Sequence, residues 1–253
     1  MGDLEVTKDG YVAICRVQRG PNNFFDNDMI GELAEAGRQA DADKDTRAIV
    51  LCSEGKNFCA GANFGEGGLG AERAKTSGEL YRNAAKLFDI KTPIVAAVQG
   101  AAVGGGLGLA LVADFRVATP SSRLHANFAK LGFHQGFGLS VTLPRLIGEQ
   151  KAAEMLLTAR AVKGEEALAL GLVDRLVDED PFSGALEFAR TIAANAPLAV
   201  TSIRETLRGD LAAEVKSVLE RELSEQTWQW DTADCAEGVA ANLARREANF
   251  TAS

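Results

Sequence analysis

The chain has 253 residues, 46% of them hydrophobic, enough to bury the core of one large domain with an appendage. Its formal net charge of −8 argues against nucleic-acid binding, which favours a basic face, and against attraction to an anionic membrane surface. Four scattered cysteines (Cys15, Cys52, Cys59, Cys235) form no CxxC pair and read as reduced thiols of a cytoplasmic protein. The polar start MGDLEVTKDG does not read as a signal peptide, and the apolar run at 101–113 falls far short of the ~20 residues needed to span a bilayer.

In chain order, residues 4–17 alternate in polarity and break at Lys8-Asp9-Gly10, which predicts a β-hairpin. Asp26 or Asn27 then offers an N-cap for a helix to about Ala40, with Met29, Ile30, Leu33, Ala36 and Gly37 at helical spacing. A buried strand over 48–53 leads into NFCAGAN at 57–63. GEGGLGAE at 65–72 reads as a loop, lid or plain linker, before a helix at 77–89. Thr92-Pro93 ends that helix, and IVAAV at 94–98 is a second buried strand. VQGAAVGGGLGLALVAD at 98–114 runs through a turn into a helix whose first turn is Gly104, Gly105 and Gly106, and a third strand follows at 114–119. Helices are predicted at 145–158 and 164–170, the second capped by Gly171 before the strand LVDRLV. From about 182 the pattern is almost all helical, with a new segment at Pro197 and an apolar stripe of Leu211, Val215, Val218, Leu219 and Leu223. Trp228 and Trp230 follow it and read as core or subunit contacts. The repeated strand–turn–helix passages predict layered α/β architecture.

Three glycines in a helix interior cost roughly 1 kcal/mol each against alanine. At a helix start they are cheaper and let a ligand approach bare backbone N–H groups. Close helix packing explains them equally well when they are taken alone. A second N–H-presenting turn, Cys59-Ala60-Gly61-Ala62, tilts the reading, because two backbone donors aimed at one point make an oxyanion hole.

These residues resemble the crotonase (enoyl-CoA hydratase/isomerase) superfamily. RAIVLCSEGKNFCAGAN at 47–63 and PIVAAVQGAAVGGGLGLALVADFRVAT at 93–119 look like its two oxyanion segments. LGFHQGFGLSVTLPRLIG at 131–148 resembles its glycine-rich active-site loop, and ALALGLVDRLV at 167–177 and AEGVAANLARREANF at 236–250 match later landmarks in order. The resemblance implies an α/β spiral of ββα turns over 1–195 and a C-terminal helical region at 196–253 that forms trimers, often paired into hexamers, and closes over the site. It implies an acyl-CoA thioester as partner and no metal or redox cofactor beyond coenzyme A as part of the substrate. The donors would be the N–H groups of Ala62 and Gly105. Ala60 and the stretch Ala62, Asn63, Phe64 and Gly65 would lie along the CoA, with the backbone around Ala60 meeting its adenine. Asn63 stands where Asp is common in the family.

The departures matter more. A hydratase of this family uses two glutamates to handle the water and the α-carbon proton. Here those positions are Gly108 and Phe128, and a third carboxylate position used by isomerase relatives is Gly136. None of the three transfers protons, so ordinary hydratase activity is not expected. Replacement acid–base candidates are His134 in GFHQGFG, whose unperturbed pKa is near 6.5, with a packed or helix-capping ring as the alternative, and Glu66 in the 65–72 loop, with a solvated loop acid as the alternative. His125 is expected on a strand or loop surface, Ser140 and Thr142 as helix caps, and Cys59 in the core. Phe128, with Phe133 and Phe137 nearby, suggests an apolar or aromatic acyl pocket. Two readings stay open: an acyl-CoA isomerase, hydrolase or decarboxylase working through an enolate, and a non-catalytic acyl-CoA binder. A dinucleotide-dependent oxidoreductase is rejected, since no GxGxxG occurs at 100–108 and no acidic strand end follows about 20 residues later. A related serine peptidase is disfavoured because no serine starts the glycine helix.

Overall fold

The computed structural model describes residues 3–63 and 71–253. Strands β1 (Leu4–Asp9) and β2 (Val12–Val17) form the expected hairpin, but its strands run on through Lys8 and Asp9, and the turn is Gly10-Tyr11. Asp26 caps α1 (Asn27–Ala42), its side chain accepting from Met29 N–H at 2.9 Å. β3 (Ala48–Ser53) follows, then α2 (Ala71–Phe88), which begins six residues before the sequence pattern suggested. β4 (Ile94–Val98) and β5 (Ala101–Val103) precede the short α3 (Gly105–Ala110), with β6 (Phe115–Ala118) and β7 (Arg123–His125) after it. The β5 strand takes the place of the expected turn, because its amides and carbonyls pair with both β7 and Cys59.

A 3-10 turn at Phe128–Leu131 leads to α4 (Leu139–Ile147) and α5 (Glu149–Thr158). The single helix expected at 145–158 is thus two helices, broken at Gly148, whose φ of +78° no right-handed helix accommodates. β8 (Ala161–Lys163), α6 (Gly164–Leu170) and the two-residue β9 (Arg175–Leu176) complete the sheets. Four helices end the chain: α7 (Pro181–Ala193), α8 (Pro197–Arg208), α9 (Leu211–Gln229) and α10 (Ala233–Ala244).

The main sheet has the order β1-β2-β3-β4-β6-β9, parallel except for the β1–β2 hairpin, and a small sheet has the order β5-β7-β8. β3 and β4 are buried on both faces, as a continuous apolar run in a parallel sheet requires. Ala48, Val50, Cys52, Val95 and Ala97 pack with Ala185 and Ala189 of α7, while Ile49, Leu51, Ile94 and Ala96 face the larger core. Val215 and Leu219 of α9 and Val239 of α10 join that larger core, so the last helices pack on the spiral. α8 has no buried residue. Trp230 is in the core, whereas Trp228 is 57% exposed. Among the described residues no helix is long and apolar enough to cross a membrane.

Candidate active site

Two tight turns meet at the end of the parallel strands. The first, Cys59 to Ala62, is held on both sides: Phe25 N–H donates to Gly61 O at 3.0 Å, Cys59 N–H to Ala101 O at 3.1 Å, and Val103 N–H to Cys59 O at 2.9 Å. Gly61 has a φ of +83°, and a Cβ there would lie 2.8 Å from Val103 O and 3.5 Å from Gly105 N. The second turn passes through Gly104, at φ +57°, into α3. Leu107 and Gly108 make the first internal helix bonds, to Gly104 O, so the amides of Gly105 and Gly106 head the helix unengaged by its own ladder. A Cβ on Gly105 would overlap the Phe25 ring, and one on Gly106 would overlap the Cys59 carbonyl. The glycines therefore serve close packing and amide presentation together. Cys59 itself is buried, its thiol pushed up to about 12 by desolvation, which makes it a packing residue.

A cavity of about 480 Å³ lies over these turns. Ala60, Ala62, Asn63, Gly105, Phe128 and Gly136 all line it. Its aromatic wall comprises Phe25, Phe128, Phe133, Phe137 and Trp230, with Phe128 set edge-on to Phe133 at 5.7 Å and Phe133 to Trp230 at 6.2 Å. Glu66, Phe64 and Gly65 lie outside the described residues.

Of the two histidines, His125, on strand β7, lines the cavity and His134 does not. The His134 backbone N–H donates to Gln229 Oε1 at 2.6 Å, and its ring Nδ1 lies 2.8 Å from Gln135 O. His125 does line the cavity, because β7 is paired on both sides and β7 ends at the cavity wall. Its Nε2 lies 2.8 Å from the Ala159 carbonyl, which makes Nε2 the protonated nitrogen. Burial, helped by Arg123 and Lys130, holds its pKa below the usual value, so the ring is neutral.

At each of the three positions where the family resemblance leads one to expect a carboxylate, Gly108, Phe128 and Gly136, the space is filled. A Cβ on Gly108 would lie 2.6 Å from Phe137 Cβ. Phe128 is 8% exposed within the aromatic wall. A Cβ on Gly136 would overlap the Tyr81 hydroxyl and lie 2.7 Å from Gln226 Nε2. Tyr81 donates to Gln226 Oε1 at 2.8 Å and accepts from the Phe137 N–H; desolvation raises its pKa, so it stays a neutral phenol.

A polar face of α9 fixes this loop. Gln226 Nε2 donates to His134 O at 2.8 Å, and Gln229 takes the His134 N–H. One turn earlier, Glu222 accepts from Gly138 N–H at 2.8 Å, Ser140 N–H at 3.0 Å and Ser140 Oγ at 2.7 Å. Glu222 is fully buried, and desolvation raises its pKa against the pull of these donors and of His134. Neither serine nor threonine caps α4 as expected: Ser140 Oγ donates to Glu222, and Thr142 Oγ1 donates back to Gly138 O at 3.1 Å within the first turn. Tyr81, Gln226, Glu222 and Arg73 were not singled out from the sequence. The available signal was the i, i+4, i+7 spacing of Glu222, Gln226 and Gln229, which places three polar residues on one helical face beside the apolar stripe.

An α/β spiral with two glycine turns meeting at one end of a parallel sheet defines a protein of the crotonase fold type. A sequence profile of the enoyl-CoA hydratase/isomerase family matches residues 7–253, and the chain belongs to that family. A Mycobacterium tuberculosis protein named as a probable enoyl-CoA hydratase is 36% identical over 203 residues, 79% of each chain. The short-chain-enoyl-CoA hydratase of Clostridium acetobutylicum is 27% identical over 252 residues, covering 98% of this chain and 97% of its own. The crystal structure of an enoyl-CoA hydratase/isomerase from Pseudoalteromonas atlantica superposes with a TM-score of 0.87 at 28% identity, over 99% of this chain and 100% of that one.

Proposed function

We propose that this protein binds an acyl-CoA thioester with its carbonyl oxygen between the N–H groups of Ala62 and Gly105, and stabilises the enolate that forms there, without being an ordinary hydratase. The observation that carries this is the abutment of the two turns, with the Cβ position of Gly61 only 3.5 Å from Gly105 N. Two fixed amides there would bind developing negative charge with no reorganisation at the moment of reaction. Support for the negative half comes from Gly108, Phe128 and Gly136, where Phe137, the aromatic wall and Tyr81 fill the space a glutamate would use. Isomerisation, thioester hydrolysis and decarboxylation are the reactions open to such a site. A non-catalytic acyl-CoA binder is the second reading, favoured by one observation: among the described lining residues there is no aspartate or glutamate. No metal or redox group is needed for any of these. The solvent-facing Leu198, Ile203 and Leu207 of α8 suit the assembly of trimers or paired trimers, in the cytoplasm.

Calorimetric titration with butyryl-CoA and with free CoA tests the reading. The wild type is expected to bind butyryl-CoA more tightly than CoA, and Ala62→Pro, which removes one amide, to lose that advantage. Failure of the wild type to bind either ligand would overturn it.

A further inference from the structure

We propose that His125 is the catalytic base of this site, its Nδ1 taking the proton from the α-carbon of a bound acyl-CoA and later returning it. The proposal rests on the acyl-CoA reading above and names the group that carries out its chemistry. β5 and β7 pair in parallel with Val103 opposite His125. The residues lining the cavity alternate along both strands, Ala101 and Val103 on β5, Arg123 and His125 on β7. Ala102 and Leu124, which lie between them, are fully buried in the core. The two-residue period of a strand thus puts the imidazole on the cavity face. Its backbone stands at the second turn, since Gly104 N–H donates to His125 O at 2.8 Å and Gly105 is the next residue.

The ring can accept a proton through one atom. Nε2 carries the hydrogen it gives to Ala159 O at 2.8 Å, so the neutral ring has its lone pair on Nδ1. Among the described residues Nδ1 has no hydrogen-bond partner, and it is not sealed from open space. The other polar groups of the lining do not serve as bases at neutral pH: the arginines hold their protons, and the Tyr81 phenol stays neutral. No aspartate, glutamate, lysine or cysteine lies among the described lining residues. In the step, the α-carbon–hydrogen bond breaks as an Nδ1–H bond forms. The electron pair moves onto the thioester oxygen between the Ala62 and Gly105 N–H groups. The imidazolium keeps its Nε2 bond to Ala159, while Arg123 on β7 and Lys130 in the 3-10 turn oppose its charge and favour return of the proton. β5 brings no charged residue against the ring, and Lys163 of β8 and Glu165 and Glu166 of α6 are exposed.

The test follows uptake of deuterium at the α-carbon of butyryl-CoA in heavy water by mass spectrometry, with calorimetry on the same full-length protein. The wild type is expected to bind and to exchange, at a rate that falls as pH drops below 6.5 toward the lower folded value of His125. His125→Gln is expected to slow exchange about hundredfold or more while its binding still saturates. A variant that exchanges at the wild-type rate overturns the assignment. Should it fail to fold, the wild-type profile decides, and exchange that keeps its rate from pH 6.5 down to acid unfolding overturns it. Saturating binding by the wild type without exchange overturns the catalytic role and leaves the acyl-CoA site standing. Absence of binding overturns both.

Discussion

The hydroxyl of Tyr81 occupies the space that any side chain at position 136 would need, and it is held there by Gln226 Oε1 at 2.8 Å. Tyr81→Phe leaves the Gln226 carbonyl and the Phe137 N–H without that partner, and is expected to cost about 1–3 kcal/mol in denaturant unfolding. Gly136→Ala forces the phenol aside and is expected to cost at least as much. In a Tyr81→Phe background the same alanine should cost less, because the overlapping atom is gone. Relief stays partial, since the new Cβ still lies 2.9 Å from the ring carbon Cζ. Strict additivity of the two changes would show that they do not share one space.

Gly108→Glu, which places a carboxylate where the family resemblance puts a hydratase glutamate, is not expected to give hydration. Its Cβ would lie 2.6 Å from Phe137 Cβ and 2.9 Å from that ring's Cγ. Overpacking of that kind costs about 1–3 kcal/mol. Pairing it with Phe137→Ala is expected to recover the lost stability in part. Crotonyl-CoA hydration by the single Gly108→Glu variant would show that the loop yields readily and that Phe137 does not close the position.

Much of this was legible in the chain, for identifiable reasons. β3, β4 and the two glycine turns announce themselves because continuous apolar runs and clustered glycines are local signals. The Asp26 cap was equally local. The break at Gly148 was hidden, since one glycine within a helical pattern reads as tolerated. The placements of His125 and His134 were hidden for another reason: which one reaches the cavity depends on β7 pairing with β5 and β8, and on the α9 glutamines capturing the His134 backbone. Contacts such as Tyr81 to Gln226, 145 residues apart, have no local signature at all.

Glu222 gives a pH signature. Its folded pKa is raised by burial, so its stabilising contribution is full below the ordinary carboxylate value of 4.5 and is lost as pH rises through the higher folded value. Glu222→Gln sets an amide N–H₂ against the Gly138 or Ser140 donors and is expected to cost about 1–3 kcal/mol at low pH. The difference between variant and wild type should shrink as pH rises above 4.5. A difference that grows with pH over that range would place the folded pKa below the ordinary value.

His125 runs the opposite way. Its folded pKa is lowered by burial, so its contribution is present above the ordinary value of 6.5 and is lost as pH falls from there through the lower folded value. His125→Gln should remove this acid-side loss, making thermal midpoints of variant and wild type converge as pH drops below 6.5. Parallel curves over that range would mean that folding does not lower the His125 pKa.

The central claim, an acyl-CoA site with oxyanion donors at Ala62 and Gly105 but no hydratase acid–base pair, is tested most directly by mixing the protein with crotonyl-CoA. Loss of the conjugated thioester absorbance is followed while binding is measured by calorimetry. The account predicts a binding heat that saturates and no 3-hydroxy thioester among the products, whether or not the absorbance falls through isomerisation or thioester cleavage. Hydration at an ordinary enzymatic rate would contradict it, and would mean that other groups do the work of the glutamates missing at Gly108 and Phe128.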